Sequence, residues 1–417
     1  MHCCKYLLTV FSVLITSLCT AQDSLRITTD SADRIFLQKN LMMVAAQLNV
    51  DAQKALEVQA RLYPNPQFSF GLNTYDSKNK KLFYAGQNGE KSFEFDQLIL
   101  LGGKRKNLVE LVKQNTKQAQ LEMEDLMRNL KYQLHNDLLS LHFDLLTVHQ
   151  YNQHLQQLDS IITGYQEQAA KGNIALKEEV RLKTAYMSLN NDRTDLLNNI
   201  EEEQKDLHLL LQTNQFVLPQ YDDASWSKYE QLPVLDSMMN LALHHRSDLE
   251  EAALNRSVAD LNIHYQKSLA APDLTLGASY DQRGNAFNNQ YMLTFGIPLP
   301  FWNRNQGNIK AAQVQSNIAA VNQQQQQSTV AGEVTAAWNN MQRSIAEYQK
   351  TKKMYSADFS TVFDGMTANF LKRNISILEF VDFFESYNSG IAEVNRVKKQ
   401  LALSGETINY SVEFPVY

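Results

Sequence analysis

Tyr63-Pro64-Asn65-Pro66-Gln67-Phe68-Ser69-Phe70-Gly71 decides the fold, because the chain repeats its plan about 200 residues later as Ala270-Ala271-Pro272-Asp273-Leu274-Thr275-Leu276-Gly277. In each copy a helical run meets proline, which biases the preceding residue out of the helical region and stops the helix. A strict alternation then begins. Phe68, Phe70 and Leu72 oppose Gln67, Ser69, Gly71 and Asn73; Leu274, Leu276, Ala278 and Tyr280 oppose Asp273, Thr275, Gly277 and Ser279. Each strand has a partner beyond a polar loop. Phe93 and Phe95 oppose Ser92, Glu94 and Asp96 after loop 76–91, and Tyr291, Leu293, Phe295 and Ile297 oppose Met292, Thr294 and Gly296 after loop 281–290. Period 2 means one apolar and one polar face, and the segments suit tilted membrane strands of about 9–11 residues.

The second half of each repeat is helical. Glycine and proline are scarce, 15 and 8 in 417 residues, so helix is the expected majority state. Lys104 to Gln168 holds no proline and only Gly164, close to 100 Å of helix at ~1.5 Å per residue. Leu134, Leu138, Leu141, Leu145, Val148, Leu155 and Ile162 follow a 4-3 rhythm, interrupted by Asn152 and Asp159, which is a coiled-coil seam. Lys171-Gly172-Asn173 turns the chain, and Lys372-Arg373-Asn374 repeats that turn in the second half.

These signals predict a duplicated unit of strand hairpin plus long helical hairpin. The first repeat spans 22–212, with a helix capped by Asp30-Ser31 and running to Leu62, strands at 67–75 and 92–98, and helices at 104–168 and 174–211. A connector covers 213–235. The second repeat spans 236–417, with a helix at 236–270, strands at 273–280 and 291–297, and helices at 305–370 and 375–403. The glutamine run 323–327 keeps helical rhythm and reads as a solvated helix face.

Residues 1–21 read as a secretory signal: Lys5, then an apolar run from Tyr6 to Leu18, then Cys19-Thr20-Ala21 as a small-x-small cleavage site. A lipoprotein signal ending at Cys19 is the alternative, disfavoured by Leu18. Cys3, Cys4 and Cys19 are the whole cysteine complement, so the mature chain carries no disulfide, thiol nucleophile or CxxC chemistry. Losing residues 1–21 removes only Lys5 and leaves a formal charge of −7 against −6 for the whole chain, which argues against nucleic acid as a partner. No later segment approaches the ~18 apolar residues of a transmembrane helix. Membrane insertion, if it occurs, is by strands.

Four strands cannot close a sheet in lipid, where open edges do not occur. Two copies supply eight strands and three supply twelve. The small polar set Ser69, Gly71, Thr275, Gly277 and Ser279 suits a wet lumen, which favours the wider barrel.

At this point the residues resemble a family. Ala60-Arg61-Leu62-Tyr63-Pro64-Asn65-Pro66, Gln97-Leu98-Ile99-Leu100-Leu101-Gly102-Gly103-Lys104-Arg105, Arg246-Ser247-Asp248-Leu249 and above all Ile297-Pro298-Leu299-Pro300-Phe301-Trp302-Asn303-Arg304-Asn305-Gln306-Gly307-Asn308 are similar to TolC-like outer-membrane efflux channels, in their heavy-metal (CzcC/CusC-type) branch. The resemblance spans essentially the mature chain. It implies a mainly α protein with a membrane β-barrel portion: a homotrimer with a 12-stranded barrel and a 12-helix periplasmic tunnel. It also implies a periplasmic adaptor, an inner-membrane pump of the resistance-nodulation-division type, and outer-membrane lipid around the barrel. Two departures stand out: there is no clean lipobox, and Leu41 replaces the proline usual after the first-helix asparagine.

By the same resemblance Glu379 and Asp382, just past the second turn, are candidates for a gate at the periplasmic mouth. Threefold symmetry would gather six carboxylates that repel one another and attract cations; a solvated helix face is the plain alternative. Lys171, Gly172, Asn173, Arg373 and Asn374 mark the hairpin tips and are candidate adaptor contacts, although turn chemistry alone accounts for Gly172 and the asparagines. His135, His142 and His149 recur every seven residues. That spacing is about 10.5 Å along one helix, too far to share an ion, so all three read as ordinary helix-surface histidines. The pair His244-His245 reads no better, and Met42-Met43 and Met238-Met239 read as packing residues. No metal or cofactor is expected. Tyr75, Phe83, Tyr84, Tyr280, Phe301 and Trp302 fit either interface girdles or core packing.

The functional expectation is an exit duct for substrates, with heavy-metal cations the cargo implied by resemblance. Drug efflux or type I protein secretion is an alternative within the family, and a soluble periplasmic coiled-coil adaptor or scaffold is one outside it. No nucleophile–base pair, P-loop or ligand cluster points to an enzyme.

Overall fold

The structure is a computed structural model describing residues 24–86, 89–284, 286–355 and 358–417. The expected signal segment lies outside these residues. The chain divides into two compact units, residues 45–125 with 247–329 and residues 1–44 with 126–246 and 330–417.

The first of these units holds the sheet. β2 (Gln67–Leu72), β5 (Glu90–Ile99), β7 (Leu274–Arg283) and β8 (Phe287–Gly296) form a four-stranded antiparallel sheet in that order, while β3 (Tyr75–Asp76) and β4 (Lys81–Leu82) make a small hairpin in the β2–β5 loop. The two repeats join at β5 and β7. The helix ending at Arg61 delivers β2, and the helix ending at Leu269 delivers β7. Helices beginning at Lys104 and Gln306 carry the chain away from β5 and β8. All four helix connections therefore sit at one end of the sheet.

That end is tied across the repeats. The Lys104 ammonium lies 2.7 Å from the Asp273 carboxylate, whose Oδ1 also accepts the Leu101 N–H at 3.1 Å. Gly102 and Gly103 both adopt positive φ, 65° and 74°, and a Cβ on Gly102 would collide with Ala271. The double glycine thus serves a left-handed turn and a close approach to the other repeat. Asn305 Nδ2 donates to the Gln266 carbonyl at 2.8 Å and so fixes the β8 exit.

The other unit opens with β1 (Ser24–Ile27), which pairs in parallel with β6 (Phe216–Pro219). Sequence reading missed this pair. Gln204, buried beneath it, clips β6 by donating to the Val217 carbonyl (2.8 Å) and accepting the Val217 N–H (2.9 Å). α1 (Thr29–Lys39) is capped by Thr28 in a reciprocal box with Ser31, not by Asp30-Ser31. It does not run on to Leu62. Asn40 turns extended, and its side-chain oxygen caps the N–H groups of Met42 and Met43 at 3.0 and 3.1 Å, opening α2 (Leu41–Arg61). A side-chain acceptor there satisfies two otherwise orphaned donors.

The remaining helices are α3 (Lys104–Ala170), α4 (Leu176–Leu211), α5 (Leu235–His245), α6 (Ser247–Leu269), α7 (Gln306–Met354), α8 (Asp358–Leu371) and α9 (Ile377–Val412), with a short 3-10 helix at Asp223–Glu230. Two expected boundaries differ. The helix read as continuous from Asn305 to Phe370 is two, α7 ending with Lys352 and Lys353 in its last turn, where basic groups suit the helix dipole. α9 continues nine residues past Leu403, because its tail buries Glu406, Ile408, Ser411 and Val412. The seam on α3 is buried at Leu134, Leu138, Leu141, Val148, Leu155 and Ile162, while Asn152 and Asp159 lie on its exposed side.

Candidate functional site

The strand register gathers the sheet's aromatic rows on one face and most of its small polar and acidic side chains on the other. Phe70, Phe93, Tyr280 and Tyr291 are directly opposite one another on one face, as are Phe68, Phe95, Ala278 and Leu293. The aromatic row is contiguous, with ring centroids 5.1, 6.0 and 5.3 Å apart along it. Yet this face is bare: Tyr291 is 79%, Leu293 76% and Phe295 73% exposed. The opposite face carries the rows Ser69–Glu94–Ser279–Met292 and Gln67–Asp96–Gly277–Thr294. A Cβ on Gly277 would strike the Asp96 and Thr294 side chains, so glycine leaves room there for the carboxylate. Its cation, Arg283, pairs with Asp281 at 2.9 Å, and Glu90, Glu94 and Asp96 leave the face acidic.

Exposed aromatics mark both ends of the sheet. Tyr63, Phe301 and Trp302 flank the helix end, with Arg105 lying 3.9 Å over the Tyr63 ring. Tyr75 and Phe83 stand exposed at the loop end, Tyr84 and Tyr280 partly buried. The exposed rings sit where girdles would; Tyr280 belongs to the aromatic row.

The two helical hairpins end in matching turns. After α3, Gly172 adopts φ 77°, and Asn173 folds back with its N–H on the Gln168 carbonyl and its Nδ2 on Gln168 Oε1, each at 2.9 Å. After α8, Arg373 takes the same left-handed conformation at φ 62°, and Asn374 N–H returns to the Asn369 carbonyl at 2.9 Å. An L-residue there costs about 1–2 kcal/mol that glycine avoids.

Behind the tips lies an aromatic core that sequence reading did not single out. Phe370 stacks on Phe380 at 4.1 Å and on Tyr165 at 5.4 Å, and Phe363 stacks on Tyr387 at 4.3 Å. His154 sits within this core, donating from Nδ1 to Asn388 Oδ1 at 2.6 Å. Burial lowers its pKa, so the ring is held neutral. The phenylalanines at 359, 363, 370, 380 and 384 were the available signal.

Glu379 caps α9. Its Oε2 accepts the N–H and the hydroxyl of Ser376, both at 2.8 Å, and Ser376 Oγ accepts the Glu379 N–H at 3.2 Å. Backbone hydrogen bonding from Ser376 lowers the carboxyl pKa. Asp382 lies exposed one turn further along the same helix.

The heptad histidines are not alike, and two of them are not surface residues. His149 is exposed. His142 packs edge-on against Phe143 and Tyr221, each 5.1 Å away, and near Trp226. His135 donates from Nδ1 to Glu406 at 3.0 Å and from Nε2 to Asp33 at 2.9 Å, so both ring nitrogens carry protons and the ring is a cation. Burial opposes that charge, but the hydrogen bonds and charges of the two carboxylates outweigh it and raise His135 to about 9. Tyr229 adds a hydroxyl to Glu406 at 3.0 Å, and Lys131 pairs with Asp33 at 2.8 Å. A second buried network joins α3, α4 and α9. Lys399 binds Asp144 at 3.0 Å and approaches Glu203 at 3.7 Å, and burial and Asp144 push Glu203 up to about 8. Among the described residues no three His, Cys, Asp or Glu side chains are grouped to hold a metal.

Residues 238–360 match the family described as outer membrane efflux protein. The cobalt-zinc-cadmium resistance protein CzcC of Cupriavidus metallidurans is 23% identical over 367 residues, covering 85% of this chain and 82% of that protein. Among solved structures, CusC aligns with a TM-score of 0.73 at 16% identity, over 92% of this chain and 91% of that one. The outer membrane protein VceC of Vibrio cholerae aligns at 0.70 and 14%, over 93% and 97%. The MtrE outer membrane channel of Neisseria gonorrhoeae aligns at 0.71 and 14%, over 93% and 89%. Part of the second repeat thus matches the outer membrane efflux protein family, and the chain shares the fold of these outer membrane channel structures over more than nine-tenths of its length.

Proposed function

We propose that this protein is the passive outer-membrane exit duct of a tripartite efflux system, fed by a periplasmic adaptor and a resistance-nodulation-division pump. The observation that carries this reading is the sheet register: one bare apolar face, one acidic polar face, and two outer strands, β2 and β8, with no neighbour among the described residues. Three copies closing edge to edge would satisfy those strands in a 12-stranded barrel, with the apolar face in lipid and the polar face around water. Exposed apolar residues on α2 (Leu48, Leu56, Val58) and α7 (Val314, Ile318, Val321) supply seams for neighbouring copies in a 12-helix tunnel.

The cargo is heavy-metal cations. The acidic lumen face suits them, and the curated relative is named for cobalt, zinc and cadmium resistance. Glu379 and Asp382 form the gate, and Lys171, Gly172, Asn173, Arg373 and Asn374 meet the adaptor. The strain at Arg373, where the first repeat has glycine, favours a role for that side chain beyond the turn.

Single-channel recording tests the gate. Glutamine at the third helical position preserves a capping box, so Glu379→Gln with Asp382→Asn removes charge and keeps the helix start. Conductance is expected to rise and divalent-cation block to weaken; unchanged block would remove the gate assignment. A deletion strain challenged with copper, silver, zinc, cobalt and cadmium beside a drug panel tests the cargo. Drug sensitivity with normal metal tolerance would transfer the assignment to drug efflux.

A further inference from the structure

The loop between β2 and β5 is a built hairpin, and its composition differs from the rest of an acidic chain. Residues 73–89 hold three lysines, Lys78, Lys80 and Lys81, against one acidic residue, Asp76. Asp76 is occupied internally. Its Oδ1 accepts the N–H groups of Lys78 and Asn79 at 2.9 and 3.0 Å, and its Oδ2 accepts Asn79 Nδ2 at 2.6 Å. The carboxylate therefore fixes the turn on which the lysines stand. All three lysines are exposed. Lys80 takes a positive φ of 50°, and the Lys81 ammonium lies 4.8 Å over the Tyr84 ring.

Apolar groups share the hairpin. Tyr75 and Leu82 are directly opposite each other in its register, and both are exposed, as is Phe83 beside them. The hairpin stands at the loop end of the sheet, opposite the end where all four helices attach. Ammonium groups interleaved with bare aromatic and aliphatic side chains match a boundary between acyl chains and phosphate headgroups. A protein partner would require a complementary acidic surface at this end; the apolar face running down from the hairpin continues instead into the lipid-facing wall.

We propose that the 75–82 hairpin binds phosphate-bearing lipid headgroups at the loop end of the barrel, through Lys78, Lys80 and Lys81. This rests on the membrane reading of the sheet above. The test places a polarity-sensitive dye at exposed Ser77 by Ser77→Cys, in full-length mature protein reconstituted into liposomes of phosphatidylcholine alone or with phosphatidylglycerol. Quenching by neutral acrylamide is expected to be about twofold weaker with phosphatidylglycerol. High salt and the triple variant Lys78→Gln, Lys80→Gln, Lys81→Gln should abolish the difference while channel conductance stays unchanged. Equal quenching in both liposomes, or protection that survives in the triple variant, overturns the proposal. So does protection in phosphatidylcholine produced by added inorganic phosphate, which would make the ligand a free anion. Failure of the wild type to float with either liposome would instead remove the membrane reading, and the lipid contact with it.

Discussion

Replacing His135 by glutamine removes a cation held between the buried Glu406 and the half-buried Asp33, and the structure sets the size of the loss. The ring is raised from 6.5 to about 9. A change of one in pKa is worth about 1.4 kcal/mol, so the protonated state adds about 3 kcal/mol to folding. The sign follows from linkage. A group whose folded pKa exceeds its unfolded one gives full stabilisation below the unfolded value, here 6.5, and loses it as pH rises through about 9. The magnitude agrees with the ~3–5 kcal/mol lost when one partner of a buried ion pair is deleted. Glu406 would keep Tyr229 and Asn409, and Asp33 would keep Lys131, which places the expected cost near the lower figure. Guanidinium unfolding in detergent, followed by circular dichroism, should show His135→Gln less stable by about 3 kcal/mol near pH 6 and little different from wild type above about pH 9.5. A loss under about 1 kcal/mol at the lower pH, or one equal at both, would refute the buried imidazolium.

Glu203 is raised from 4.5 to about 8, so its neutral form favours the fold at low pH and ionisation costs stability as pH climbs from its unfolded value through 8; Glu203→Gln should match wild type below about pH 4 and exceed it above about pH 8 in the same unfolding assay. Phe380→Ala removes a fully buried ring stacked at 4.1 Å on Phe370 and should lower stability by about 3–5 kcal/mol, with hydrogen exchange accelerating in α8 and the start of α9. Arg373→Gly relieves a positive φ and should stabilise the turn by up to about 1 kcal/mol, yet weaken adaptor binding measured by surface plasmon resonance; unaltered binding would confine Arg373 to the turn.

The sheet was legible because its signal is local. Alternation within Phe68-Ser69-Phe70 or Leu293-Thr294-Phe295 assigns each side chain to a face without knowledge of its neighbour, and the register then aligns like with like. The turns at Gly172 and Arg373 were legible because two copies of one pattern mark each other. What escaped depends on distant partners. His135 meets Asp33 and Glu406, 102 and 271 residues away, so its spacing to His142 and His149 carried no information about its surroundings. β1 and β6 are four residues each and nearly 200 residues apart, too short for periodicity to register. Asn40 escaped for the opposite reason: the helix pattern runs straight through it, and only its cap on Met42 and Met43 reveals the break.

The strand order β2-β5-β7-β8 has a consequence for how the protein is made. Its two edges come from different repeats and have unequal lengths, six residues in β2 and ten in β8. In the proposed ring like edges would not pair; β8 of one copy would meet β2 of the next, antiparallel as everywhere else in the sheet. Such a head-to-tail contact leaves one free edge at each end of every incomplete arc, and a free edge of bare aromatic strand is a template for indiscriminate pairing. On the proposed assembly, the chain would be most vulnerable before its ring closes. Escort during that interval, and rapid proteolysis of chains that fail to close, would be part of its biology as much as the finished duct.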